Sequence, residues 1–171
     1  MAKVNGTTVS ASGIATTGAD AIDILLNDHK LVKQLFEELA ASTSGERATI
    51  LEQLKALLTV HNATEENLVY PAVRFLAARP RDAETLYHQQ DEAEAGLWAI
   101  DATIKGLVEG DDVADQIDVL HKAVLAHVRK EEETEFPHLR KTLDNDTLRQ
   151  LTADVRAFRN NFRSVQAPRG G

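Results

Sequence analysis

An eleven-residue pattern that occurs twice constrains this chain more than any other feature of its sequence. Residues 61–71 read His-Asn-Ala-Thr-Glu-Glu-Asn-Leu-Val-Tyr-Pro, and residues 127–137 read His-Val-Arg-Lys-Glu-Glu-Glu-Thr-Glu-Phe-Pro. Both fit H-x-x-x-E-E-x-x-x-[YF]-P without a gap. A single H-x-x-x-E occurs by chance in many helices, but two copies that share the further positions indicate a common role.

The spacing within the repeat places its histidine and its first glutamate on one face of a helix. Four residues turn an α-helix by about 400° and advance it by about 6 Å, so His61 and Glu65 point the same way. The same holds for His127 and Glu131. Each helix can therefore offer an imidazole and a carboxylate to neighbouring metal ions. The second glutamate of each copy lies roughly another 100° round the helix and is expected to point elsewhere.

Apolar residues recur at three- and four-residue steps along nearly the whole chain, which predicts helices. Turns near Ser44-Gly45, 79–82 and 110–112 divide it into four long helices and a shorter one that ends near residue 162. This predicts an all-α, up-down-up-down four-helix bundle with an additional short C-terminal helix. The second and fourth helices of such a bundle run the same way, so the two repeats can face each other. The arginines of the last helix are expected on a solvated face: Arg149, Arg156, Arg159 and Arg163.

Composition narrows the classes of protein to which the chain can belong. The 171 residues predict one domain at 19–163, with flexible tails at 1–18 and 164–171. The net charge of -8 argues against nucleic acid as a partner, because phosphate binding needs a basic surface. No apolar run suits a membrane span, and the polar N-terminus is not expected to be a secretory signal. The absence of cysteine excludes thiolate ligands and fits a cytoplasmic location, so any metal must be held by nitrogen and oxygen.

Two further helices place histidines on their predicted inner faces. The third helix carries another H-x-x-x-E, and the first helix carries one histidine within its apolar stripe. A lone histidine in such a stripe is usually a core residue, so it is considered a metal ligand only because three other helices also carry histidines. Seven buried polar groups could not be left unpaired, and together they suit two ions of borderline hardness, iron above all, with manganese or zinc not excluded. The expected metal ligands are His29, His61, Glu65, His88, Glu92, His127 and Glu131.

Other polar and aromatic residues near the repeats are given structural roles. Asp91 is a less favoured alternative to Glu92 as a ligand. The acidic run 131–135 is expected to be a solvated face apart from its first residue. The remaining histidines, His121 and His138, are expected at the surface. Three aromatic residues could line the site or relay electrons, although packing is the favoured role for each: Tyr70, Tyr87 and Trp98.

On these residues the chain resembles the hemerythrin-like, or HHE cation-binding, family. The resemblance covers about residues 20–143 and rests on the four histidines, the three H-x-x-x-E motifs and the sequence Asn27-Asp28-His29. It implies a non-haem di-iron site with an oxo or hydroxo bridge. It also implies that Glu65 and Glu131 bridge the irons while the histidines are terminal ligands. The partners implied are small molecules: dioxygen, hydrogen peroxide and nitric oxide.

Glu92 stands where oxygen-carrying hemerythrins have a second histidine. A third carboxylate would add one negative charge to the site, stabilise ferric iron and disfavour its return to the ferrous state. The expected ligands and bridge would fill about eleven of twelve positions on two octahedral ions, leaving about one open. We therefore expect catalase-like peroxide decomposition in oxidative-stress defence. The alternatives are reversible binding of oxygen or nitric oxide, sensing of iron or oxygen without turnover, and a metal-free helical interaction module.

Overall fold

The computed structural model describes residues 18–107 and 112–166, with side chains up to residue 162 in the last helix. The N-terminal tail predicted at 1–18 lies outside these residues except for Gly18. The C-terminal tail predicted at 164–171 overlaps them only at 164–166, which belong to the last helix. No helix in the described ranges combines the length and the apolar character needed to cross a membrane.

Every regular element in the described ranges is helical. The first three rods are α1 (Ala21–Ala41), α2 (Ser44–Thr64) with the π-helical segments Glu65–Val69 and Ala72–Leu76, and α3 (Pro80–Ile104). The fourth rod consists of α4 (Val113–Lys130), the π-helical segment Glu131–Glu135 and α5 (Phe136–Thr142). The last rod is α6 (Asn145–Gln166), which at 22 residues is longer than the sequence predicted.

The four rods close into a ring. α1 packs on α2 and on α4, while α3 packs on both α2 and α4. The last helix, α6, lies outside the ring against α1 and α2. The predicted all-α bundle with a C-terminal helix is therefore confirmed.

Local sequence signals set where the first helices begin. Asp20 forms a capping box with Asp23 at the start of α1, and Thr43 forms one with Glu46 at the start of α2. These caps satisfy backbone N–H groups that have no partner within the helix. The second box moves the break between the helices ahead of the predicted Ser44-Gly45, so that both residues belong to α2.

Two apolar clusters fill the bundle, and the buried histidines of the first, second and fourth rods lie between them. On α1, His29 separates Leu25 of one cluster from Val32 of the other. On the fourth rod, His127 similarly lies between Val124 and Phe136. The bundle thus contains a buried polar layer sandwiched by two apolar layers.

Each repeat contains a π-helical turn that begins at its first glutamate. The N–H of Tyr70 donates to the carbonyl of Glu65, and that of Phe136 donates to the carbonyl of Glu131. The prolines that follow have no N–H and their rings crowd the preceding turn, which favours a wider turn at this point. In an α-helix, residues five apart would lie about 140° from each other, whereas the π turn brings them onto one face.

Candidate metal centre

Four buried side chains bring nitrogen and oxygen donors together in the polar layer. His29, His61, Glu65 and Glu131 each offer one ligand atom, and these atoms all lie within 4.8 Å of one another. None of the four residues is more than 3% exposed. His29 lies on α1 and His61 lies near the end of α2. Glu65 and Glu131 are the first residues of the π-helical segments Glu65–Val69 and Glu131–Glu135.

The Nε2 atoms of three histidines face the two carboxylates. His61 Nε2 lies 3.2 Å from Glu65 Oε2, and His127 Nε2 lies 3.4 Å from Glu131 Oε1. His29 Nε2 lies between the glutamates, 3.3 Å from Glu131 Oε2 and 4.0 Å from Glu65 Oε1. The two repeats therefore do face each other at the same depth, with His29 joining them from α1.

The other ring nitrogen of each histidine has a partner outside the cluster. The contacts are His29 Nδ1 to Glu132 Oε1 at 3.1 Å, His61 Nδ1 to Asp28 Oδ2 at 3.3 Å, and His127 Nδ1 to Gln89 Oε1 at 3.2 Å. Oxygen acceptors on Nδ1 hold each imidazole in place and direct Nε2 inward. This is the arrangement found around histidines that ligate metals.

The two carboxylates among these outer partners, Glu132 and Asp28, are themselves held by cations. Lys33 Nζ lies 2.9 Å from both oxygens of Glu132. Glu132, the second glutamate of its repeat, lies outside the cluster and contacts His29 from its outer side. Arg159 donates to both oxygens of Asp28 at 2.6 and 3.1 Å. Arg159 is 7% exposed, so its assignment to a solvated face was wrong, because α6 packs that side of the helix onto α1 and α2.

Several donor atoms in the cluster have no hydrogen-bond partner among the described residues. They are His29 Nε2, Glu65 Oε1, Glu131 Oε2 and the nearby Gln90 Oε1. Leaving a buried polar atom unpaired costs about 1–3 kcal/mol, more for a charged group, and native proteins rarely tolerate several together. A bound cation would satisfy the histidine and glutamate atoms, and a mixed imidazole and carboxylate set fits a divalent transition metal.

The Tyr70 hydroxyl lies within the cluster. It is 2.9 Å from Glu131 Oε1, 3.1 Å from Glu65 Oε2 and 3.2 Å from His127 Nε2. Burial, followed by the charges of Glu65 and Glu131, raises the pKa of Tyr70 well above its ordinary value, so the phenol keeps its proton. The sequence favoured packing for this residue over a place in the lining of the site, whereas the structure gives it both, because the π turn brings its hydroxyl to the carboxylates.

The third predicted pair does not reach the cluster. The side chains of His88 and Glu92 are 73% and 66% exposed and contact each other on the outer face of α3. The inner stripe of α3 is set by Leu86, Gln90 and Leu97. His88 and Glu92 are each two residues from Gln90, which puts them about 200° round the helix from it, on the outer face. Gln90 faces the site instead and donates from Nε2 to Glu65 Oε2 at 2.6 Å. Its place in the apolar stripe was a signal that could have identified it.

The electrostatics of the histidines differ across the layer. Burial opposes a charge on His61, but the carboxylates of Glu65 and Asp28 outweigh it and raise the pKa of His61 to about 10. Burial lowers the pKa of His127. Burial acts to raise the pKa of Asp28, but the contacts with His61 and Arg159 outweigh it, so the pKa of Asp28 is lowered overall. A metal that binds His61 must therefore displace a proton from it.

A cavity of about 500 Å³ connects the cluster with the outer surface. His29, His61 and His127 line its inner end, and Glu94 and Trp98 line its outer end. Trp98 is 56% exposed, which fits a position at the rim. The apolar walls include Val32, Ala93, Leu97, Val124 and Val128. Small uncharged molecules can therefore approach the cluster between α2 and α3.

The remaining singled-out residues lie away from the cluster. His121 is half-buried and stacks on Phe36, and half-buried His138 has Nε2 3.4 Å from the carbonyl of Ala77. The Tyr87 hydroxyl donates to the carbonyl of Glu66. Glu135 is 1% exposed and lies 3.5 Å from an Arg79 nitrogen, so this part of the acidic run is buried rather than solvated. The inward turn of Glu135 follows from the π segment that it ends.

Comparison with known proteins identifies the family. The model of the hemerythrin HHE cation binding domain matches residues 20–139. A protein named DNA nickase from Nostoc sp. (strain PCC 7120 / SAG 25.82 / UTEX 2576) is 30% identical over 141 residues, which is 82% of this chain and 39% of that protein. The chain thus matches well under half the length of this relative, and no solved structure matches it. With the buried histidine and glutamate cluster at its centre, the chain belongs to the hemerythrin HHE cation-binding domain family.

Proposed function

We propose that this chain binds iron at the cluster and that the iron reacts with hydrogen peroxide or dioxygen. The ligands are His29, His61, Glu65 and Glu131, with His127 beside them. The observation that supports this most is the group of buried donor atoms that find no hydrogen-bond partner in the described part of the chain, in a layer where each histidine is already fixed through Nδ1. Burying these donor atoms without partners lowers the folding stability, and binding of a cation would offset that loss.

The proposed reaction is decomposition of peroxide, in which two molecules of hydrogen peroxide give two of water and one of dioxygen. This stoichiometry needs no separate reductant. Bound iron would supply the change of oxidation state that the reaction requires. The protein would admit peroxide through the cavity, hold the imidazoles from outside and keep the Tyr70 proton beside Glu131. Its apolar walls would limit the access of bulk water.

The preference for turnover over reversible carriage rests on the carboxylates around the histidines. Glu92, the third carboxylate expected from the sequence, is exposed and adds no charge within the cluster. Asp28 and Glu132 contact His61 and His29 directly, and carboxylates in this position make imidazole a stronger donor. Together with Glu65 and Glu131 they favour the ferric state. Reversible binding of oxygen or nitric oxide, or sensing without turnover, is the alternative for the same site.

We do not extend DNA nicking from the Nostoc relative to this chain. The match covers 39% of that protein, and this chain carries a net charge of -8, which disfavours contact with phosphates. Our proposal is therefore a domain that acts on small molecules in the cytoplasm, without nucleic acid or membrane partners.

The test is to purify the protein without added metal, measure iron per chain, and follow oxygen evolution with an electrode after peroxide is added. His61→Ala and Glu131→Gln should lose both iron and oxygen evolution. His88→Ala is the matched control, because His88 is an exposed histidine of another H-x-x-x-E motif and should behave like the wild type. Iron without oxygen evolution would favour the binding or sensing alternative. Folded protein that never binds iron would refute the proposal.

A further inference from the structure

We propose that the cluster holds a single metal ion in each chain, and that Tyr70 and Gln90 occupy the place of a second one. The inference rests on the proposed metal site and departs from the two bridged irons that the family resemblance implies. It concerns the number of ions, which the arrangement of hydrogen bonds around Glu65 and Glu131 decides.

A carboxylate that bridges two ions must use both of its oxygens. In each glutamate here the two oxygens face different surroundings. Within residues 18–107 and 112–166, Glu65 Oε1 and Glu131 Oε2 have no hydrogen-bond partner, and they lie 4.0 and 3.3 Å from His29 Nε2. The opposite oxygens, Glu65 Oε2 and Glu131 Oε1, contact the Tyr70 hydroxyl at 3.1 and 2.9 Å. One side of the carboxylate pair is therefore open to a cation, and the other is occupied by a phenol.

His29 and His127 divide in the same way, whereas His61 Nε2 lies 3.2 Å from Glu65 Oε2, the oxygen that also contacts Tyr70. His127 is the imidazole that would remain for a second ion, and its Nε2 lies 3.2 Å from the Tyr70 hydroxyl. His29, His61, Glu65 and Glu131 can each offer one ligand atom within 4.8 Å of the others, and His127 is not part of this group. Bonds of about 2.1 Å place opposite ligands about 4.2 Å apart, so a small contraction of this group would enclose one ion.

The third helix supplies an amide where a second ion would need a stronger ligand. Gln90 donates to Glu65 Oε2 at 2.6 Å, so that oxygen contacts both Gln90 and Tyr70. Tyr70 is fully buried and packs edge-on against Tyr87 with ring centroids 4.9 Å apart. Room for a second ion would require this ring to leave its packed position, which is costly in a dense core.

The two copies of the repeat explain why one side is open. Phe136 occupies the position in the second copy that Tyr70 occupies in the first. Its ring stacks on His29, with centroids 5.6 Å apart, and carries no hydroxyl to reach the carboxylates. One hydroxyl group therefore distinguishes the half of the layer that binds the ion from the half that does not.

The experiment counts ions on the folded protein. Metal-free protein is loaded with Co(II), a redox-stable probe, and the ions per chain are counted by native mass spectrometry and elemental analysis. The wild type should bind one. Tyr70→Phe combined with Gln90→Glu removes the phenol, supplies a third carboxylate and should bind two. Tyr87→Phe is the matched control, because its hydroxyl donates to the Glu66 carbonyl rather than to the cluster, and this variant should bind one ion.

Each outcome decides a different question. Two ions on the wild type would overturn the inference, and so would loss of the Co(II) paramagnetic resonance signal through coupling of paired ions. One ion on both the wild type and a folded double variant would overturn the role of Tyr70 and Gln90. A wild type that binds no Co(II) while remaining helical would instead refute the proposed metal site. The resonance measurement on the wild type needs no variant and so does not depend on the double variant folding.

Discussion

Replacing Arg159 by methionine should destabilise the protein strongly although this residue lies far from the repeats in sequence. Arg159 donates two hydrogen bonds to Asp28, and both residues are buried. Removing one partner of a buried ion pair costs about 3–5 kcal/mol, because the other charge remains buried without compensation. Asp28 keeps its contact with His61 at 3.3 Å, so we expect the lower end of that range, about 3 kcal/mol.

For a chain of this size, each kcal/mol lowers the melting temperature by about 2–4 °C, so the expected decrease is roughly 6–12 °C. Thermal unfolding followed by circular dichroism, together with urea titration, measures both quantities on metal-free protein. Arg149→Met is the matched control: it lies on the same helix, its side chain is 73% exposed, and it should change stability by less than about 0.5 kcal/mol. If Arg159→Met matched this control, the docking of α6 through Asp28 would be refuted.

Three further predictions concern the outer shell of the site, the buried acid and the cavity. Asp28→Asn should weaken binding of Co(II) by about 10–100-fold, because the carboxylate that orients His61 is lost; isothermal titration measures this, and unchanged affinity would contradict it. Burial raises the pKa of Glu135 above 4.5, so its folded state binds a proton more tightly and the wild type loses stability as pH rises through the folded pKa. Glu135→Gln should therefore exceed the wild type in urea unfolding at neutral pH, with the gain shrinking toward acid; a constant difference would argue against burial as the cause. Ala93→Phe should fill the cavity and slow the oxidation of bound iron by peroxide without changing iron content, as stopped-flow absorbance would show, and an unchanged rate would mean that peroxide enters elsewhere.

The fold and the two repeats could be predicted because they depend on periodicity. Apolar residues at helical steps define inner faces wherever the helices meet, and short turns leave few alternatives to an up-down bundle. His61 with Glu65 and His127 with Glu131 fall on those faces by spacing alone. His29 could be added only because the other histidines lay on facing helices, and the structure puts all five side chains in one buried layer.

The sequence failed where a residue's direction depends on a neighbouring element. The pair His88 and Glu92 has the correct spacing, but the packing of α3 on α2 and α4 turns it outward and turns Gln90 inward. Spacing fixes which residues share a helix face, whereas rotation of the whole helix about its axis is fixed only by packing. The same applies to Arg159, whose burial depends on where α6 lies.

By itself, then, the sequence determined a helical bundle with a layer of histidines and glutamates, because helical periodicity and donor chemistry are local properties. Tertiary structure decided which ligand atoms meet, which of those in the described residues have no hydrogen-bond partner, and which are hydrogen-bonded to Tyr70 or Gln90. The two π turns bring Tyr70 and Phe136 onto the faces of Glu65 and Glu131, and a local pattern does not reveal that shift of register. The difference between a hydroxyl that reaches the carboxylates and a ring that stacks on His29 exists only once the four rods are packed together.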